Sequence, residues 1–139
     1  MLGLVRLASS TDTIRLSLHV LAACVWIGGQ IALGGLVPTV RGFGPDAVKK
    51  IAQVFARMAW PAFVVLVATG LWNVVALKNG SGNSTWQAVL GAKFAIVLVA
   101  ALAVGLHTRA GTAKVRGLSA ALGLVASLAA MVLGVLLAG

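Results

Sequence analysis

The sequence predicts an all-α fold, an integral membrane four-helix bundle forming one domain over residues 1–139, and three observations predict it. Of the 139 residues 60% are hydrophobic and 9% charged, where a soluble domain carries about 25% charged residues. Apolar runs of about 20 residues, long enough to cross a ~30 Å hydrocarbon core as a helix, recur four times along the chain. The only acids, Asp12 and Asp46, lie outside those runs, and most of the bases collect between them.

Span one covers 13–37. Its central stretch, Leu16 to Val37, holds no charged residue besides the ionisable His19 and carries Trp26 and two Gly-Gly pairs. Ser10, Thr11 or Asp12 can supply its N-cap, and Pro38 with Gly42, Gly44 and Pro45 is expected to break it into a loop. Asp46 is then the expected N-cap of the next element. Residues 47–57 read as an amphipathic piece at the membrane interface, with Val48, Ile51, Val54 and Phe55 on one side and Lys49, Lys50, Gln53 and Arg57 on the other. It leads into span two, and the two together cover 47–77. Pro61 either starts the buried part of that helix or kinks it. A polar loop from Lys78 to Ser84 follows. Span three covers 86–108 and contains Lys93; a short basic loop, Thr108 to Arg116, leads to span four at 117–138. Short connections between four spans argue for a bundle.

Counting bases orients the chain. Arg41, Lys49, Lys50, Arg57, Arg109, Lys114 and Arg116 fall on one side, and Arg6, Arg15 and Lys78 on the other. The positive-inside rule places the richer side in the cytoplasm and both termini outside, in a bacterial inner membrane. The formal net charge of +9 therefore reads as topology and attraction to anionic lipid, not as a nucleic-acid surface. Small residues recur at helical spacing on span one (Gly28, Gly29, Ala32, Gly35) and span four (Gly123, Ser127, Ala130, Gly134). Such stripes let helices approach closely, within the bundle or between copies of a homo-oligomer. The single cysteine, Cys24, excludes an intrachain disulfide and a CxxC metal clip, and inside a span it reads as a small buried apolar residue.

An ionisable residue within a span is expensive and marks a functional site by default, so His19 is the prime candidate. At about 1.5 Å rise per residue, with spans alternating in direction, the outer leaflet collects His19, Lys93, Met131 and Asn73. His107, fourteen residues beyond Lys93, lies about 21 Å deeper, where it is expected to cap a helix C-terminus. One haem held by both histidines of a monomer is excluded by that separation. His19 with Met131 is the easier pair, since both residue types serve as axial haem ligands and both suit copper. Trp26 sits mid-span and needs an interior partner, whereas Trp72 and Trp86 fit an outer aromatic belt and Trp60 an inner one. No carboxylate pair or buried acidic relay exists for acid–base work, and no phosphate loop, nucleophile triad or zinc spacing is present.

The pattern His19-Val-Leu-Ala-Ala-Cys-Val-Trp26-Ile-Gly28-Gly29 resembles the first-helix signature of the bacterial copper resistance D (CopD) family. Thr69-Gly70 and Leu90-Gly91-Ala92-Lys93 resemble later blocks of that family. The chain is similar in outline to HemJ-type protoporphyrinogen oxidases, although that pattern expects a histidine about eleven residues after the lysine and His107 stands at fourteen. On a helix that offset is a net 60° swing and about 4.5 Å of depth. The resemblance implies a membrane protein that binds haem b or copper. Within it His19 would be the prime ligand and Lys93 a ligand neighbour or a partner for a porphyrin carboxylate; Met131 as second metal ligand, with Trp26 and Asn73 beside the cofactor, is the expectation from depth and position. The function implied is copper handling or membrane electron transfer with a periplasmic or membrane redox or copper partner. The alternatives are an oxidase of the HemJ type and a cofactor-free homo-oligomeric scaffold or transporter.

Overall fold

The computed structural model describes residues 9–76 and 83–138. They form four helices: α1 (Ser10–Phe43), α2 (Pro45–Ala76), α3 (Ser84–Arg109) and α4 (Ala113–Ala138). No strand occurs among the described residues. All four helices are long and apolar enough to cross a membrane, and many large apolar side chains point outward. Val20, Leu21, Val64, Leu102, Val125 and Leu136 each expose more than 60% of their surface. Water penalises that arrangement and lipid favours it. The chain is an all-α, multi-pass membrane protein. It divides into two compact units, α1 with α2 and α3 with α4, each a hairpin of antiparallel helices.

In the first hairpin Ser9 is the N-cap, one residue before the expected candidates. Its hydroxyl accepts from the Asp12 amide at 3.1 Å and donates to Asp12 Oδ2 at 2.7 Å, so Asp12 sits in the first turn, where a carboxylate favours the helix dipole. The expected break at Pro38 does not occur. Pro38 lies inside α1, where the backbone donor it lacks does not end the helix. The chain turns at Gly44 instead, whose φ of 102° is open to glycine and strained for other residues. Pro45 then opens α2, the helix position that tolerates a missing N–H. Asp46 accordingly lies one position inside α2 and is not its N-cap.

The amphipathic piece expected at 47–57 is not a separate element. It is the first third of a continuous 32-residue helix that runs through Pro61, because nothing between Arg57 and Met58 breaks it. α1 and α2 are about 51 and 48 Å long at 1.5 Å per residue, well beyond a ~30 Å hydrocarbon core. Arg41, Lys49, Lys50 and Arg57 ride the closed end of this hairpin.

Residues Cys24–Gly28 of α1 form a π-helical turn, which sequence periodicity did not signal. A π turn widens the helix and disturbs its regular carbonyl pairing, and the Gln30 side chain donates to the Trp26 carbonyl at 3.0 Å. Cys24 is exposed on this turn, a correction to its expected burial, since the wider turn commits Trp26 and Ile27 to the interior.

In the second hairpin, Asn83 caps α3 through its side chain, accepting from the amides of Thr85 and Trp86 at 2.9 and 3.3 Å. The rest of the expected polar loop, residues 78–82, lies outside the described residues, as do Arg6 and the last residue expected of span two, 77. α4 begins four residues earlier than expected. Thr112 accepts from Arg116 N through its carbonyl (3.0 Å) and from Val115 N through its hydroxyl (3.3 Å), which moves Lys114 and Arg116 from loop to helix. His107 does not cap α3. Its Nδ1 donates to the Arg116 carbonyl at 2.8 Å, while Arg116 Nη2 donates to the Ala110 carbonyl at 3.0 Å and closes the end of α3 in its place. Further along, a Cβ at Gly123 would lie 3.1 Å from Val104 Cγ2 and 3.7 Å from Ala103 Cβ, so the two backbones approach closely at that level.

Candidate functional site

His19 sits at the heart of the first hairpin's polar layer. It lies nine residues, about 13 Å, into α1, where the apolar run around it leaves its imidazole dependent on α2 for a polar partner. Nδ1 lies 2.8 Å from the Thr69 hydroxyl. That hydroxyl is 2.7 Å from the Val65 carbonyl and 3.2 Å from that of Leu66, the usual back-bond of a threonine within a helix. A hydroxyl has one hydrogen. Where that hydrogen goes to Val65, the oxygen accepts from His19 and Nδ1 carries the imidazole proton. A histidine whose other ring nitrogen is fixed by such a bond is oriented as metal-binding histidines are. His19 Cε1 also lies over Gly70, 3.5 Å from where a Cβ would stand.

One turn from this contact lie Arg15 on α1 and Asn73 on α2. Arg15 is buried, with its side chain 5% exposed, and Nη2 donates to Asp12 Oδ1 at 2.9 Å. Counting bases gives Arg15 a side of the membrane and says nothing of its burial. Its spacing was the available signal, since four residues before His19 is the same helix face. Asn73 is half-buried, as a member of the expected layer should be.

About two turns deeper, Trp26 is 2% exposed and fills the space between the helices. It meets Phe63 with ring centroids 4.5 Å apart and Trp60 edge-on at 5.9 Å, and Trp60 meets Phe63 at 6.0 Å. Trp60 is therefore part of an interior cluster as well as partly exposed. Nearer the closed end, Phe55 lies against Gly29 so closely that a Cβ there would overlap the ring.

The first hairpin thus brings together His19, Thr69, Arg15 and Asn73 above an aromatic floor that includes Trp26. Lys93 and Met131 belong to the second hairpin. The Lys93 amine folds over Gly134 of α4, 3.0 Å from the position of a Cβ, and the Met131 side chain is 47% exposed. No group of three or more His, Cys, Asp or Glu side chains is placed to hold a metal ion among the described residues. The arrangement in the first hairpin offers one oriented imidazole, a buried guanidinium and an apolar wall. Neither a family model, nor a curated protein, nor a solved structure matches the chain.

Proposed function

We propose that the chain is a CopD-like protein of a bacterial inner membrane that binds haem b through His19, with electron transfer or copper handling as its role. One observation carries the reading: inside an apolar span the His19 ring is tied through Nδ1 to the Thr69 hydroxyl of α2 at 2.8 Å. Haem suits the first hairpin better than copper. A porphyrin supplies four nitrogens to its iron and asks the protein for one axial imidazole, whereas copper held by the chain alone needs several donors gathered at one point. The buried polar atoms of Arg15 and Asn73 one turn away fit a ligand that combines a flat apolar body with polar substituents. Bound haem would supply one-electron chemistry. The chain's own contribution is to hold the His19 ring in one orientation and to exclude water with the Trp26, Trp60 and Phe63 cluster. The topology proposed has both termini outside and the basic ends of the hairpins in the cytoplasm.

Absorption spectra of the protein purified in mild detergent, oxidised and dithionite-reduced, with metal analysis of the same sample, test this directly. Reduced b-type bands lost in His19→Ala are expected. Stoichiometric copper without haem would transfer the role to copper. A colourless, metal-free protein would overturn the reading in favour of a cofactor-free homo-oligomer, which the open space beside Gly28, Gly34 and Gly35 of α1 favours.

A further inference from the structure

Arg15 precedes His19 by four residues and Asn73 follows Thr69 by four. On antiparallel helices the two side chains therefore share a level and stand on the same faces as the bonded pair, one turn nearer the start of α1. An arginine this close to a helix start would ordinarily extend its head group to water, yet its side chain is 5% exposed. Its Nε and Nη1 are buried and make no hydrogen bond among the described residues, and the same is true of Asn73 Oδ1. Asp12 does not fill the gap. One of its oxygens takes Arg15 Nη2, the other takes the Ser9 hydroxyl, and the carboxylate is 44% exposed, so water screens its charge. The guanidinium keeps the donors of Nε and Nη1 and its positive potential. Buried polar groups are almost always paired, so these three atoms leave a place that a bound group can satisfy.

We propose that Arg15 and Asn73 form a receptor for an oxyanion. A carboxylate or phosphate oxygen accepts from the Arg15 guanidinium, as such groups do with short charge-assisted bonds. The Asn73 amide, turned over so that Nδ2 stands where Oδ1 now lies, supplies a further donor; the two orientations are nearly isosteric. Two sources carry this chemistry: a carboxylate of a porphyrin ligated by His19, or the phosphate of an anionic lipid. The first rests on the function proposed above and the second does not.

The experiment uses the full chain in mild detergent, with Arg15→Gln and Asn73→Asp as variants. Haemin and its dimethyl ester, which lacks free carboxylates, are titrated by absorbance. Lipid retained from mixed phosphatidylglycerol and phosphatidylcholine micelles is read by native mass spectrometry. If the porphyrin is the source, the free acid binds wild type about tenfold more tightly than the diester, and Arg15→Gln abolishes the difference. Asn73→Asp, which keeps the volume and adds a repelling charge, weakens the free acid alone. If the lipid is the source, phosphatidylglycerol is retained over phosphatidylcholine, and both substitutions remove the preference. That result upholds the receptor even where haem does not bind and the reading of His19 has failed. Equal binding of acid and diester, or no haem binding, together with no preference for the anionic lipid, overturns the proposal. Circular dichroism and gel filtration identify a variant that has not folded, and should Arg15→Gln be one, Asn73→Asp carries the test.

Discussion

Where α1 meets α2 the contact is made by large rings and by polar side chains: Trp26 on Phe63 and Trp60, Phe55 over Gly29, His19 on Thr69. Where α3 meets α4, Gly123 lies against Ala103 and Val104, and the buried positions along the two helices are Ala100, Ala103, Ser119, Gly123, Ala126, Ser127 and Ala130. In lipid neither hairpin gains from hiding apolar surface, so close packing and interhelical hydrogen bonds must hold both. The second hairpin achieves this with small side chains and near-bare backbone. The first packs on aromatic volume, and an imidazole and a guanidinium share that interface. The difference teaches that the polar side chains go with the hairpin whose contact is built on rings, and ring volume sets the spacing of that contact.

Substitutions that remove or invade that spacing should separate the two hairpins. The largest effect is expected from Trp26→Ala, a loss of about 3 kcal/mol through the cavity left between α1 and α2, read by reversible unfolding in mixed detergent micelles. Gly29→Ala should follow. Its new methyl meets the Phe55 ring, and displacing the ring costs about 1–3 kcal/mol, whereas Gly28→Ala, facing open space, should change almost nothing. Equal effects at Gly28 and Gly29 would break the account of the first hairpin. Gly123→Ala should cost less, about 1 kcal/mol, because its methyl would stand 3.1 Å from a single Val104 methyl that can shift a little. The smallest effect on stability belongs to Thr69→Val, about 0.6 kcal/mol for one interhelical hydrogen bond within a membrane. The same substitution should weaken any ligand of His19 by 10–100-fold, measured by titration. A large stability loss with unchanged binding would show the threonine to be structural only.

Much of this was legible in the chain. Four spans, the polar layer at His19, and the interior role of Trp26 follow from run length, charge placement and helical rise. Boundaries were less so. Pro38 reads as a stop, but α1 carries it, and the turn comes at Gly44, where φ is positive. The amphipathic pattern at 47–57 was real, yet periodicity cannot tell an interfacial helix from the protruding end of a long one. The π turn left no signal, because its one-residue phase slip lies inside an apolar run. The burial of Arg15 lies beyond loop counting, which gives a base a side of the membrane and ignores the neighbouring helix on which burial depends. Of the expected site residues, His19, Asn73 and Trp26 belong to one hairpin. Lys93 and Met131 lie on the other hairpin; depth joins both to His19, the resemblance joins Lys93 as well, and depth fixes only one coordinate of three.

The length of the first hairpin has a consequence for where this protein can live. Its helices exceed a typical hydrocarbon core by close to 20 Å, with a basic closed end and a polar layer toward the open end. Thickening the bilayer by a few ångströms costs such a hairpin little, since tilt and overhang absorb the mismatch. The margin is not free on both sides, because Arg15 and His19 resist being drawn toward the midplane while Lys49 and Lys50 can slide along the headgroups. The hairpin is anchored at one depth and adjustable at the other, so a change in lipid composition would move its basic arm and leave the histidine where it is.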